Sequence, residues 1–220
     1  MTVHPALPDT LPLFPIRGCI LLPGEALPLN VFEPRYLNMV DDAMSGNGFL
    51  GIIQPRETGP RDHPDLERVG TAGRIAKHSE TTDGRYLIVL VGVSRFTLTA
   101  QPQMKTPYRV GRADYAGFER DIDGPEADDP GADRAGFLTL LKRFFQHAGI
   151  DADWASMDHA PLSAITSKVA MAAPFDAACK QALLQASRPC VRRELLATLM
   201  EGALEHALRG PSSGPADRLH

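Results

Sequence analysis

Residues 11–40 read LPLFPIRGCILLPGEALPLNVFEPRYLNMV, and this stretch decides the fold. It predicts a short proline-rich strand, a turn at Pro23-Gly24 and a second strand, because Pro-Gly pairs favour turns. A helix is predicted to begin at Pro34, since proline in the first helical turn loses no intrahelical hydrogen bond. The stretch therefore indicates two strands followed by a helix.

The region around this stretch is rich in predicted strands. Pro, Gly and Asp turn signals separate the strands, and one helix with Tyr36, Val40 and Met44 on one face ends at Gly46. The run Leu87–Val91 is apolar on both faces, so we expect it in the middle of a closed or covered sheet. The predicted strands are Leu11–Ile16, Leu27–Val31, Gly48–Gln54, Gly73–Ser79, Arg85–Ala100 and Tyr108–Tyr115.

After an acidic Pro/Gly segment at Arg120–Gly131, predicted as a loop, the apolar period becomes helical. Short loops between consecutive helices favour a compact helical bundle. The predicted helices are one capped by Asp133 that runs to about His147, one from Pro161 that stops before Pro174, one at Ala177–Ala186 capped by Asp176, and one capped by Ser187 that ends at Gly210.

These patterns predict an α+β chain with a β-rich subdomain followed by a helical one. We expect the β-rich subdomain at residues 1–119, an acidic Pro/Gly linker at 120–132, a helical bundle at 133–210 and a flexible tail at 211–220.

Composition narrows the function classes. The chain has 220 residues and a net charge of -4, and residues 121–133 contain six acidic residues and no basic one. Residues 1–120 are balanced in charge, which argues against a nucleic-acid surface. Three cysteines are too few for a disulfide scaffold, and no apolar run approaches the ~20 residues of a membrane span. We therefore expect a cytoplasmic protein with no membrane segment.

The sequence resembles the amino-terminal, substrate-binding domain family of Lon proteases. Residues 11–40 are similar to its opening, and further similarities lie at Val69–Ile75, Gly84–Phe96 and Lys180–Leu196. The resemblance covers about residues 10–208 and implies a PUA-like six-stranded pseudo-barrel followed by a helical bundle, with a role in recognising polypeptides. Lon proteases carry a P-loop and a Ser-Lys dyad in later domains and cereblon-type relatives carry a zinc site. All three are absent here, which indicates a stand-alone, non-enzymatic member.

Several motifs suggest chemistry that their context does not support. Residues 46–51 fit G-x-G-x-x-G, but a helix precedes the glycines and a strand follows, the reverse of a dinucleotide site. Lys77–Glu80 groups an acid, a base and a hydroxyl without a partner. The histidines lack metal-ligand spacing, so we expect no metal and no cofactor. Cys19 lies near Arg17, which could lower its pKa and make it reactive, or it could be a small apolar side chain in a strand.

The strongest site candidates are Arg35 and Tyr36. Glu33 could place negative charge at the helix N-terminus, Tyr36 could open the apolar stripe, and Arg35 could pair with an acid on the barrel. The alternative role for Arg35 or Tyr36 is ligand contact. Our leading hypothesis is a domain that binds unfolded or exposed polypeptide, with a protease or chaperone as partner. The alternatives are an RNA-binding PUA-like module and a hydrolase using Ser79 or Cys19. The oligomeric state stays open.

Overall fold

The computed structural model describes residues 7–123 and 131–209 of the chain. The predicted tail at 211–220, the predicted helix end at Gly210 and most of the predicted linker lie outside the described residues. The strands are β1 (Thr10–Pro15), β2 (Ala26–Val31), β3 (Phe49–Ile53), β4 (Val69–Glu80), β5 (Tyr86–Ala100) and β6 (Arg109–Asp114). The helices are α1 (Pro34–Ser45), α2 (Arg134–Ala148), α3 (Trp154–His159), α4 (Leu162–Ala172), α5 (Ala177–Gln185) and α6 (Pro189–Arg209), with a 3-10 turn at Glu119–Asp121. The predicted α+β class is confirmed.

The six strands form one sheet in the order β2-β5-β4-β3-β1-β6, and β6 also pairs with β5. The second pairing closes five strands into a ring and leaves β2 on one edge of β5. β1 and β3 run parallel, whereas the other pairs are antiparallel. This closure leaves few free sheet edges, as in other barrels.

The long strand β5 makes the closure possible. Its first half pairs with β2, as in Val31↔Tyr86, and its second half pairs with β6, as in Thr97↔Asp114. The register between β4 and β5 shifts between Ala72 and Gly73, which lies opposite Gly92. Such irregularities bend a strand and are common in barrels. The predicted central position of this strand agrees with its three pairings. Leu87 departs from the prediction of two buried faces, because it is 46% exposed.

Two apolar clusters fill the β-rich part. Inside the ring, Phe96 packs with Leu13 and Phe49. Glycine at position 70 leaves room for the Phe96 ring, because a Cβ there would lie 2.8 Å from that ring and 2.7 Å from the Ile52 carbonyl oxygen. The second cluster lies under α1. The buried residues of this helix are Tyr36, Met39, Val40 and Ala43, whereas the predicted stripe member Met44 is 48% exposed.

The chain divides into two compact units: residues 1–126 with 167–186, and residues 127–166 with 187–220. The first unit thus includes α5. Gln181 on that helix donates to the Val69 carbonyl oxygen at 3.0 Å, and Lys180 donates to the carbonyl oxygens of Ala170 and Met171 at the end of α4. This grouping differs from the predicted division into residues 1–119 and 133–210, which stays a prediction.

In the second unit, α2 packs against α6. Asp133 caps α2 by accepting from the Gly136 N–H at 2.8 Å, and Gly149 ends it in the left-handed conformation that glycine favours. The sequence did not predict α3, which Asp153 caps. Arg134 donates to the carbonyl oxygens of Met157 and Asp158. The end of α3 is therefore held by a residue of α2, a contact that the local sequence of α3 does not reveal.

Candidate functional site

An open groove of about 530 Å³ lies on the first unit. Four parts of the chain form it: the end of β1, the start of α1, the β3–β4 connection, and the end of the β5–β6 connection with the first residue of β6. Three arginines (Arg35, Arg61 and Arg109) and two tyrosines (Tyr36 and Tyr108) line it. Prolines from β1 and from both connections supply much of the remaining wall. Its volume lies within the ~300–1,000 Å³ range of ligand sites.

Backbone hydrogen bonds shape the β3–β4 connection. The Arg56 N–H donates to the Asp65 carbonyl oxygen at 2.7 Å, and the Asp65 N–H donates to the Thr58 carbonyl oxygen at 2.9 Å. Gly59 adopts a φ of +89°, and a Cβ there would lie 2.8 Å from the Asp65 nitrogen. Glycine is therefore required for this tight path, which presents Arg61 and its neighbours to the groove.

Arg109 is half-buried and its guanidinium contacts neutral acceptors. Its Nη1 donates to the Pro64 carbonyl oxygen at 2.6 Å, and its Nε donates to Gln101 Oε1 at 3.0 Å. Its Nη2 also donates to Gln101 Oε1. Burial lowers the pKa of Arg109, and the nearby Asp65 carboxylate opposes that shift. The contacts join two walls of the groove.

Tyr108 ties the β5–β6 connection to α1. Its hydroxyl donates to Asp42 Oδ2 at 2.6 Å. Burial, followed by this hydrogen bond to a carboxylate, raises the pKa of Tyr108 to about 12. The phenol is thus neutral and fixed in place at ordinary pH, which gives the groove one stable aromatic wall.

Both residues that the sequence nominated line this groove. Arg35 pairs with Glu33 at 2.8 Å between Nη2 and Oε2, and its guanidinium lies 4.5 Å from the centre of the Tyr36 ring. Arg35 therefore pairs with Glu33, two residues before it, rather than with an acid on the barrel as the sequence suggested. Glu33 makes no side-chain cap bond to α1. Tyr36 is only 8% exposed, and its ring packs at a tilt against Phe14 with 4.4 Å between the ring centres. Burial raises the pKa of Tyr36, and Arg35 opposes this.

A family model, the ATP-dependent protease La (LON) substrate-binding domain, matches residues 10–202. The chain belongs to this family. Among curated relatives, it is 33% identical to a Lon protease of Parabacteroides distasonis over 107 residues, which are 47% of this chain and 13% of that protein. It is 30% identical to Lon protease 2 of Myxococcus xanthus over 110 residues, 49% of this chain and 13% of that protein. The chain therefore spans only a small part of these relatives.

Solved structures of LON domains share the fold. The Lon N-terminal domain protein of Xanthomonas campestris superposes with a TM-score of 0.61 and 24% identity, covering 86% of this chain and 97% of that one. The N-terminal domain of the Mycobacterium avium complex Lon protease gives a TM-score of 0.62 and 18% identity, covering 87% and 98%. The predicted family and fold are confirmed.

Sequence reasoning missed the other polar residues of the groove in this LON domain. Arg61 lies in the β3–β4 connection, Tyr108 ends the β5–β6 connection and Arg109 begins β6. Long-range contacts bring the last two to the groove: β6 pairs with β1, with Arg109 opposite Leu13, and Tyr108 bonds to Asp42 of α1. The Pro60–Pro64 segment, with three polar residues between two prolines, was the one local signal.

The remaining chemical candidates are not assembled into a site. Burial raises the pKa of Cys19, with the Lys180 charge opposing, and Arg17 pairs with Glu57. Of the two alternatives for Cys19, these contacts favour the unreactive thiol. Ser79 is exposed, and His78 packs edge-on against Tyr86 at 4.7 Å. Within residues 7–123 and 131–209, no cluster of His, Cys, Asp and Glu could hold a metal. No helix of the described chain is long and apolar enough to cross a membrane.

Proposed function

We propose that this LON domain binds segments of polypeptide chain and acts in proteolysis by recognition rather than by catalysis. The family match over residues 10–202 carries the proposal. A partner protease or chaperone then supplies energy and peptide-bond cleavage. Binding of this kind derives most of its free energy from burying apolar area, with polar groups fixing the orientation of the segment.

The groove beside Arg35 is the proposed binding surface. It combines aromatic and prolyl walls with cationic side chains. Such a mixture suits an extended peptide that carries both apolar and polar side chains. It suits single-stranded RNA less well, because bases stack on exposed aromatic faces and Tyr36 is buried.

Fluorescence anisotropy with a labelled, unfolded polypeptide tests the proposal. We expect saturable binding that Arg35→Ala weakens roughly fivefold, or about 1 kcal/mol. Arg85→Ala is a matched control. Arg85 pairs with the acid two residues before it, Asp83, as Arg35 pairs with Glu33. Its guanidinium also lies over an aromatic ring, that of Phe32 at 5.8 Å.

The outcomes separate the function from the site. Equal loss of affinity in Arg35→Ala and Arg85→Ala would show that the binding surface is not the groove. No binding by the wild-type protein to any unfolded chain would contradict the proposed function itself.

A further inference from the structure

The groove contains cationic groups whose charge no carboxylate neutralises by direct contact. Arg109 donates three of its five N–H groups, all to neutral oxygens of Pro64 and Gln101. Arg61 forms no hydrogen bond and no ion pair with any other residue that the structure describes. Both guanidinium groups therefore keep unused donors beside the same groove.

The charge of the lining supports an anionic ligand. Three arginines and one aspartate, Asp62, line the groove, an excess of two positive charges on a chain whose net charge is -4. Even with Arg35 paired to Glu33, two cations face one carboxylate. Half-burial removes water from Arg109, and this lowers its pKa although the nearby Asp65 carboxylate opposes the shift without a direct contact. A ligand carboxylate would remove the imbalance.

The prolines of the lining further restrict the class of ligand that the groove can bind. Proline rings offer apolar contact and no N–H donor, so the arginines are the main donors available to a ligand beside Pro64 and Pro107. Tyr108 adds a half-buried aromatic surface whose hydroxyl is already engaged by Asp42. The walls therefore suit an apolar side chain next to an acidic one.

We infer that the groove is an acidic-residue subsite, in which Arg61 and Arg109 donate to the carboxylate of an Asp or Glu in an extended polypeptide while a neighbouring apolar residue packs against Tyr108 and Pro107. This inference rests on the proposed polypeptide-binding function and specifies its substrate class. Guanidinium–carboxylate hydrogen bonds are short and charge-assisted, which makes them selective for carboxylate over its amide isostere.

Two labelled unfolded peptides test the subsite. In the first, Glu alternates with Phe and Ser, and in the second every Glu is replaced by Gln. We expect the wild-type protein to bind the Glu peptide roughly tenfold more tightly, with a preference that falls as salt is added. Arg61→Gln and Arg109→Gln should each remove most of that preference. Arg61→Gln keeps the test valid if Arg109→Gln unfolds, because Arg61 holds no described part of the fold.

Arg112→Gln is the matched control, because Arg112 is an exposed arginine of the same strand, β6, outside the groove. It should keep the full preference for the Glu peptide. Equal binding of both peptides by the wild-type protein would overturn the inference and leave the proposed function standing. Binding of neither peptide would overturn the inference, and it would overturn the proposed function too if the unfolded polypeptide also failed to bind.

Two further outcomes would also overturn the inference. One is a preference for Glu that survives both groove variants, since the acidic residue would then bind elsewhere. The other is displacement of the Glu peptide by single-stranded RNA at lower concentration than by unlabelled peptide, since the cations would then be serving phosphate.

Discussion

Arg95 and Arg109 both belong to the first unit, yet they use their hydrogen-bond donors differently. Arg95 is 5% exposed. Its guanidinium donates to both carboxylate oxygens of Asp121, at 2.9 and 2.8 Å, and to the carbonyl oxygens of Leu184 and Ala186 at the end of α5. Arg109 is half-buried and reaches only neutral acceptors, with two N–H groups unused among the described residues.

The difference separates a structural arginine from a candidate binding one. A buried charge must be paired and hydrogen-bonded, or its desolvation cost is not offset. Arg95 meets that condition, because Asp121 is its counter-charge and four of its five N–H groups are donated, and it joins β5, the 3-10 turn and α5. Arg109 meets it only in part, so its environment is improved by an anion from outside. Substitutions should therefore change stability at Arg95 and ligand affinity at Arg109.

Arg95→Met should have the largest effect on stability. It leaves the Asp121 carboxylate, whose side chain is 8% exposed, without its counter-charge, and it frees two helix-end carbonyl oxygens. We expect the free energy of unfolding to fall by about 3–5 kcal/mol, measured by urea titration followed by circular dichroism. Arg112→Met should change it by less than about 0.5 kcal/mol. Similar losses in the two variants would show that Arg95 does not have the structural role inferred for it.

Gln181→Met should have the next largest effect. Gln181 accepts from Gln54 Nε2 at 3.0 Å and donates to the Val69 carbonyl oxygen at 3.0 Å, so it fastens α5 to the barrel. The groups are neutral and Gln54 keeps its bond to the Ala177 carbonyl oxygen. We therefore expect a loss of about 1–3 kcal/mol in the free energy of unfolding.

Gln185→Met is the matched control for this variant, because Gln185 is exposed on the same helix. It should leave the urea midpoint nearly unchanged. If Gln181→Met proved as stable as this control, the buried amides would not be fastening α5.

Most of the elements could be predicted from the sequence, because their signals are local. Pro34 begins α1, and Asp133 and Gly149 bound α2, as the capping rules predict. The errors occur where tertiary contacts decide. The start of the segment Arg120–Gly131, predicted as a loop, belongs to a 3-10 turn at Glu119–Asp121 whose Asp121 is bound by Arg95. The missed α3 has only six residues, too few for an apolar period.

The candidate site could be predicted only in part. Arg35 and Tyr36 lie in the stretch that carries the family resemblance, so the sequence indicated both as candidates. Arg61 and Arg109 lie far apart in the sequence, and they line one groove only because β6 pairs with β1 in the closed sheet. Whether an arginine is fully paired, like Arg95, or partly paired, like Arg109, depends on carbonyl oxygens that no sequence pattern locates.

Tyr108→Phe should have the smallest effect on stability, and it tests how one wall of the groove is held. The hydrogen bond it removes, to Asp42, is exposed, so the loss in free energy of unfolding at neutral pH should be about 1 kcal/mol or less. The pH dependence is more informative. The folded protein raises the pKa of Tyr108 to about 12, whereas the unfolded chain ionises this phenol near its ordinary pKa of about 10.

A raised pKa means that the folded state retains the proton longer than the unfolded state, so the associated stability is complete below about pH 10 and is lost as the pH rises toward 12. Wild-type protein should therefore lose its advantage over Tyr108→Phe across this interval, as measured by urea unfolding at successive pH values. The other tyrosines are present in both proteins, so the difference between the two curves isolates Tyr108. Parallel curves would show that this wall of the groove is held by packing rather than by the bond to Asp42. In that case the wall could adapt to a ligand more freely than the fully paired region around Arg95.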